Sequence, residues 1–318
     1  MRLAPAILAS LLAIPASLPA LDPPGAALRL ERSSGGLPVV SAGLGGETLR
    51  FVLDTGTSRS MIAASAARRL GLAPRARFAV VTAAGPARAA ACAGPLEVRV
   101  GGLSLTVACL GWVPDETSPA GLEDVDGVLG ADALAGVDLW LDLRRSQARL
   151  APAGQLGPWC DGERLPLATI EERPALAVEL SALPTDARRA VLVLDSGTDR
   201  PLLFGEAARN AGRALGMRGL PGRLRTAAGG SDLALVPLGE LRVGRTRRTS
   251  GWSGLLPEVA DRGEDGLLPI GLLGPVLLDL ADAVVVIGAR LRTAPAAIPP
   301  LRRSAGTLAA VAAGATPP

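Results

Sequence analysis

Apolar and polar positions along this chain fall into short strand-like runs, each closed by a turn. "LPVVSAGL" (37–44) and "PALAVEL" (174–180) read as strands. After a turn, each leads to a second strand that ends on an aspartate: "LRFVLD" (49–54) and "AVLVLD" (190–195). Beyond the Gly that follows, the apolar spacing becomes helical. It predicts helices within "SMIAASAARRLGL" (60–72) and "LLFGEAARNAGRALG" (202–216), each stopped by Leu-Gly. More hairpins come next, including "PLEVRVGGLSLTVA" turning at Gly101-Gly102, then an Asp-Gly-apolar-apolar segment. Closing strands are expected in "VDLWLDL" and "PVLLDLADAVVVIG". The pattern predicts a mainly β chain with one short helix in each half.

The two halves share more than a pattern. "VLDTGT" (52–57) recurs as "VLDSGT" (193–198), and "TAAG" (82–85) as "TAAG" (226–229). "EVRVGG" (97–102) answers to "ELRVGR" (240–245), "DGVLG" (126–130) to "DGLLP" (265–269), and "LDL" (141–143) to "LDL" (278–280). Five matches in one order, at nearly constant spacing, indicate an internal duplication. The organisation expected is a first lobe over 24–150, a linker over 151–164, a second lobe over 165–290, and a disordered Ala/Pro-rich tail over 291–318.

Composition narrows the chemistry. A net charge of +3 over 318 residues gives no reason to expect a nucleic-acid partner, and the basic residues, all Arg, are scattered or in short runs. The chain has no His and no Tyr. That removes His-assisted nucleophiles and His-ligated zinc, so acid–base work falls to carboxylates. Residues 1–20, "MRLAPAILASLLAIPASLPA", have the charge–apolar–small layout of a secretory signal and are too short and Pro-interrupted for a good membrane span. An exported protein, periplasmic or secreted, is therefore expected, with no stable membrane span once the signal is removed. Cys92 and Cys109 flank the 95–108 hairpin and are candidates for a cross-strand disulfide, the alternative being that they and Cys160 are all buried thiols.

An aspartate at the end of an apolar strand is costly unless its charge is used. One Asp-Thr-Gly is a common turn, but two copies in duplicated lobes let Asp54 face Asp195 across a pseudo-twofold axis. Two carboxylates that close share one proton, which separates a general acid from a general base acting on one water. Gly56 and Gly197 allow a tight turn that aims N–H groups at the carboxylates. Thr55 and Ser196 are placed to reach across the axis, and Thr57 and Thr198 to hydrogen-bond a carboxylate. The neighbours are hydroxyls rather than further acids, so no metal and no cofactor is expected.

With "DTGT" and "DSGT" followed by "DGVLG" and "DGLLP", the chain resembles the pepsin/retropepsin-type aspartic proteases. Residues 126–150, "DGVLGADALAGVDLWLDLRRSQARL", are especially similar to the closing segment of the bacterial periplasmic-type aspartyl proteases. The resemblance covers most of both lobes. It implies two homologous acid-protease-like lobes, each a β-barrel-like unit with a short helix, and an active-site cleft between them. It also implies an endopeptidase that hydrolyses peptide or protein substrates with water, monomeric because one chain holds both lobes.

By the same resemblance Asp54 and Asp195 form the catalytic pair, and Thr55 and Ser196 the cross-lobe hydroxyl grip. Gly127, Val128, Leu129 and Gly130 form the loop beneath the active site, with Gly266, Leu267 and Leu268 as counterparts. Pro269 stands where the family signature has Gly, and the flap tyrosine of pepsin-like enzymes is missing, as in retroviral-type members. Flap candidates are the turns Thr82, Ala83, Ala84, Gly85 and Thr226, Ala227, Ala228, Gly229. The alternative is a catalytically inactive peptide-binding protein with the same bilobal fold.

Overall fold

The apolar runs at 51–53 and 190–194 lie in central strands, are buried on both faces and have neighbours on both sides. In the computed structural model, which describes residues 22–82, 85–113, 123–181, 183, 189–216, 219–226, 229–259 and 262–292, they organise two ten-stranded sheets. From one edge, the first sheet runs Ala76–Thr82, Gly85–Ala93, Leu110–Val113, Met61–Ala63, Gly127–Leu129, Glu47–Leu53, Pro38–Leu44, Leu96–Val100, Leu103–Val107. The second runs Leu220–Thr226, Gly229–Pro237, Trp252–Leu256, Leu202–Phe204, Gly266–Pro269, Arg189–Asp195, Arg173–Leu180, Glu240–Val243, Thr246–Thr249. Strand for strand the two orders are the same, and the tenth strand of each lies off this path, Glu31–Arg32 beside Pro38–Leu44 and Ala168–Ile170 beside Arg173–Leu180. The fold is mainly β and two-lobed.

A six-stranded sheet joins the lobes in the order Ala26–Arg29, Gln147–Pro152, Val137–Asp142, Val276–Asp279, Val284–Leu291, Cys160–Pro166. Its centre pairs Val137–Asp142 with Val276–Asp279, one strand from each lobe. The Trp140 indole donates to the Ala289 carbonyl across that junction at 3.0 Å. One apolar core runs through both lobes, from Phe51, Leu129 and Leu139 to Leu194, Leu176 and Leu278.

Several expectations change in detail. The helices are shorter, Ala64–Arg69 and Gly205–Leu215, because Met61–Ala63 and Leu202–Phe204 are strands that pair in parallel with Leu110–Val113 and Trp252–Leu256. The closing run after Pro275 is a hairpin of two strands rather than one. The segment expected as a linker is folded. Pro152 ends one strand of the joining sheet, and Cys160–Pro166 forms its edge against Val284–Leu291. Leu291, expected in the tail, belongs to that last strand. Cys92 and Cys109 form a disulfide with Cα atoms 5.4 Å apart, and Cys160 is a free buried thiol. Residues 1–20 lie outside the described residues, as does the tail from 293. Among the described residues no helix is long and apolar enough to cross a membrane.

The joining sheet holds an acid pair of its own. Asp138 and Asp279 are directly opposite on neighbouring strands, and neither is exposed. Asp138 accepts the N–H groups of Gly154 and Leu156 at 2.9 and 2.6 Å, whereas Asp279 accepts Asp282 N–H at 3.1 Å and leaves Oδ2 without a partner. Burial, reinforced by the Asp138 and Asp282 charges, pushes the Asp279 carboxyl from an ordinary 3.8 up to about 6. A folded-state value above the unfolded one means the contribution is fully present below 3.8 and is lost as pH rises through about 6. Asp279→Asn removes the ionisation cost while keeping the Asp282 hydrogen bond. It is expected to stabilise the protein near neutral pH by up to about 3 kcal/mol, with little change in acid. Urea unfolding of both forms at the two pH values measures this.

Candidate active site

The loop after each central strand is shaped by its own aspartate. Asp54 N–H donates to the Leu129 carbonyl at 3.0 Å, which fixes the end of the strand. The chain then folds back so that Gly56 and Thr57 N–H donate to Asp54 Oδ1 at 2.9 and 3.1 Å, and the Thr57 hydroxyl to Oδ2 at 2.9 Å. In the second lobe Gly197 N–H donates to Asp195 Oδ1 at 2.6 Å. The Thr198 hydroxyl, expected on the carboxylate, instead donates to the Arg200 carbonyl at 3.1 Å.

The two loops meet across the lobes. A Cβ on Gly197 would lie 2.6 Å from Asp54 Cγ, and one on Gly56 would lie 2.6 Å from Asp195 Oδ2. Each carboxyl group therefore lies against the other loop's glycine, a place only a residue without a side chain leaves open. Behind them Thr55 and Ser196, each 2% exposed, form a reciprocal grip. The Thr55 hydroxyl donates to Leu194 O at 2.7 Å and accepts Ser196 N–H at 3.1 Å. The Ser196 hydroxyl donates to Leu53 O at 2.7 Å and accepts Thr55 N–H at 3.1 Å. Four buried backbone groups, two from each lobe, are satisfied by two side chains.

Electrostatics separates the two aspartates. Burial raises both, but Asp54 is held down by the Thr57 hydroxyl, by a hydrogen bond from Asp195 and by two backbone N–H groups. Asp195 stands well above the ordinary carboxyl range, raised by burial and then by the Asp54 charge, and is lowered by the Gly197 N–H. Asp195 is raised further than Asp54, so a proton shared by the pair is favoured on Asp195, hydrogen-bonded to Asp54.

Beneath the loops, Gly127–Leu129 and Gly266–Pro269 run parallel to the central strands, Leu129 beside Leu53 and Pro269 beside Asp195. The preceding acids, Asp126 and Asp265, set that register. Asp126 exchanges hydrogen bonds with Arg50, accepting its N–H on the carboxylate at 2.9 Å and donating to its carbonyl at 2.8 Å. Asp265 does the same to Val191 at 2.7 and 2.8 Å. Their recurrence in both "DG" copies is the signal that could have assigned them this role.

Pro269 fits because its surroundings changed with it. In the first lobe Gly130 N–H donates to the Ser60 hydroxyl at 3.0 Å, and Ser60 donates through N–H and hydroxyl to Asp132 at 2.9 and 2.6 Å. At the equivalent positions the second lobe has Pro269, Pro201 and Gly271. The donor, the hydroxyl and the carboxylate are all absent together, so Pro269 leaves no partner unsatisfied. The flap-candidate hairpins pair up to Thr82 with Gly85 and Thr226 with Gly229. Their tips, Ala83, Ala84, Ala227 and Ala228, lie outside the described residues.

A comparison with curated proteins found no match. Residues 40–133 match the family model described as aspartyl protease. That span contains the Asp54 loop, the Asp126 clamp and Gly130, and the match supports an aspartyl protease family for this chain.

Proposed function

We propose that the chain is an exported aspartic endopeptidase of the bilobal pepsin/retropepsin kind, with Asp54 and Asp195 as its catalytic pair. The observation that carries this reading is the seating of each carboxyl group against the opposite lobe's glycine. A water held by both carboxyls gives a proton to Asp54 as its oxygen attacks the scissile carbonyl carbon, while Asp195 gives its proton to the carbonyl oxygen. The resulting gem-diol collapses in reverse. Asp195 takes a hydroxyl proton, Asp54 gives its proton to the nitrogen, and the C–N bond breaks. Asp195 is then protonated and Asp54 ionised, as at the start, and no covalent bond to the enzyme has formed.

The equal strand order of the two sheets supports an internal duplication with lobes over 24–150 and 165–290. The Cys92–Cys109 disulfide supports an oxidising, extracytoplasmic destination, in keeping with the signal-like residues 1–20. The two Gly-containing hairpins are the proposed covers of the cleft, and the protein works as a monomer.

Incubating the purified protein with a random peptide library from acid to neutral pH, with and without a statine-type analogue, tests the reading. Cleavage that the analogue blocks is expected. Peptide binding without cleavage would favour an inactive binding protein.

A further inference from the structure

The two halves of the dyad sit in different electrostatic settings, and one buried cation, Arg173, stands on the Asp195 side alone. In the second lobe Ala175 faces Val193, so Arg173 is level with Asp195. In the first lobe Val39 faces Val52, so Leu37 is level with Asp54. Arg173 is 7% exposed. Its Nη1 meets Glu264 Oε1 at 3.1 Å and its Nη2 meets Glu171 Oε2 at 3.1 Å, and the Glu264 side chain is fully buried. Glu264 immediately precedes the Asp265 clamp, as Val125 precedes Asp126 in the first lobe. A buried ion pair thus stands on the Asp195 side where the first lobe has Leu37 and Val125 at the corresponding positions, both half-buried. Glu171 and Glu172 form a tight turn with φ of 48° and 69°, which costs free energy in non-Gly residues. Glu172 leaves that turn for Arg59, five residues beyond Asp54, at 3.1 Å.

We propose that Arg173 is a positioning residue of the dyad, whose guanidinium, pinned by Glu264 and Glu171, makes Asp195 a readier proton donor. The inference rests on the aspartic-protease reading above. Burial and the Asp54 charge both weaken Asp195 as an acid. The Arg173 charge acts against both. Glu264 faces Arg173, with Glu171 and Arg262 as the other charges around it, and tempers that charge.

Two variants separate this from a merely structural role. R173L/E264V puts the first lobe's residue types at both positions and removes the cation. The alkaline limb of its kcat/KM profile is expected to move to higher pH, so that activity on that limb, relative to the variant's own maximum, at least about doubles. kcat should fall with KM unchanged. E264Q keeps the guanidinium and removes its tempering charge, and the same limb is expected to move to lower pH. Should R173L/E264V fail to fold, E264Q still decides by the direction of its shift. Limbs that stay in place, or move in one direction for both variants, would overturn the role. 13C-carboxyl NMR titration of the same proteins reads the dyad without turnover. A wild type that cleaves nothing yet shows the opposed shifts would sink the protease reading and leave Arg173 its role.

Discussion

Asp54→Asn and Asp195→Asn are each expected to lower kcat/KM by at least about a thousandfold while the protein stays folded. Asparagine keeps the size of the side chain, and at position 54 its amide oxygen can still accept the Gly56, Thr57 N–H or Thr57 hydroxyl bonds. It cannot take a proton from water. At position 195 the amide can donate a hydrogen bond to Asp54 but cannot transfer a proton to a carbonyl oxygen. The two variants lose different halves of one step, so either loss should be nearly complete, and combining them should add little. Kinetics on one cleavable peptide, with thermal unfolding alongside, separates this from loss of fold. Substantial activity in either variant would remove the dyad from the mechanism.

The second large effect is on stability. Thr55→Val with Ser196→Ala removes both hydroxyls of the grip and leaves Thr55 N–H, Ser196 N–H, Leu53 O and Leu194 O buried without their partners. A buried unsatisfied backbone group costs about 1–3 kcal/mol, so the pair is expected to lose about 3–5 kcal/mol after partial relaxation. Each hydroxyl both donates to and accepts from the opposite lobe, so the single losses should not add, and a double-mutant cycle by urea unfolding should show the coupling. Activity should fall further than stability explains, because the grip also sets the spacing of the two carboxyl groups.

Much of this site was legible in the residues. Strands ending on Asp54 and Asp195 stand out because an apolar run, three letters at 51–53 and five at 190–194, meets an acid twice, with the same Gly two places on. The cross-lobe roles of Thr55 and Ser196 followed from the duplication, since a pseudo-twofold axis makes each hydroxyl the image of the other. What escaped the sequence depends on non-local pairing. Met61–Ala63 and Leu202–Phe204 are three-residue strands held extended by one parallel and one antiparallel neighbour, both distant in the chain. Thr57 and Thr198 look alike in sequence, yet only Thr57 reaches its carboxylate. Ser60, Gly130 and Asp132 give way together to Pro201, Pro269 and Gly271, which the Gly-to-Pro departure at 269 read alone does not reveal. Arg173 and Glu264 lie 91 residues apart and read as solvated charges until the fold buries them together. Asp138 and Asp279 meet only because the joining sheet takes one strand from each lobe.

The central claim is that water, activated between Asp54 and Asp195, attacks the peptide carbonyl directly. Hydrolysis of a defined peptide in 18O-labelled water, under single-turnover conditions with mass analysis of both product and enzyme, tests it most directly. The account predicts one labelled oxygen in the new peptide carboxylate from the first turnover, with Asp54 and Asp195 of the recovered enzyme unlabelled. Label in either aspartate, or a peptide fragment joined to the enzyme, would mean a carboxylate had attacked as nucleophile and would contradict it.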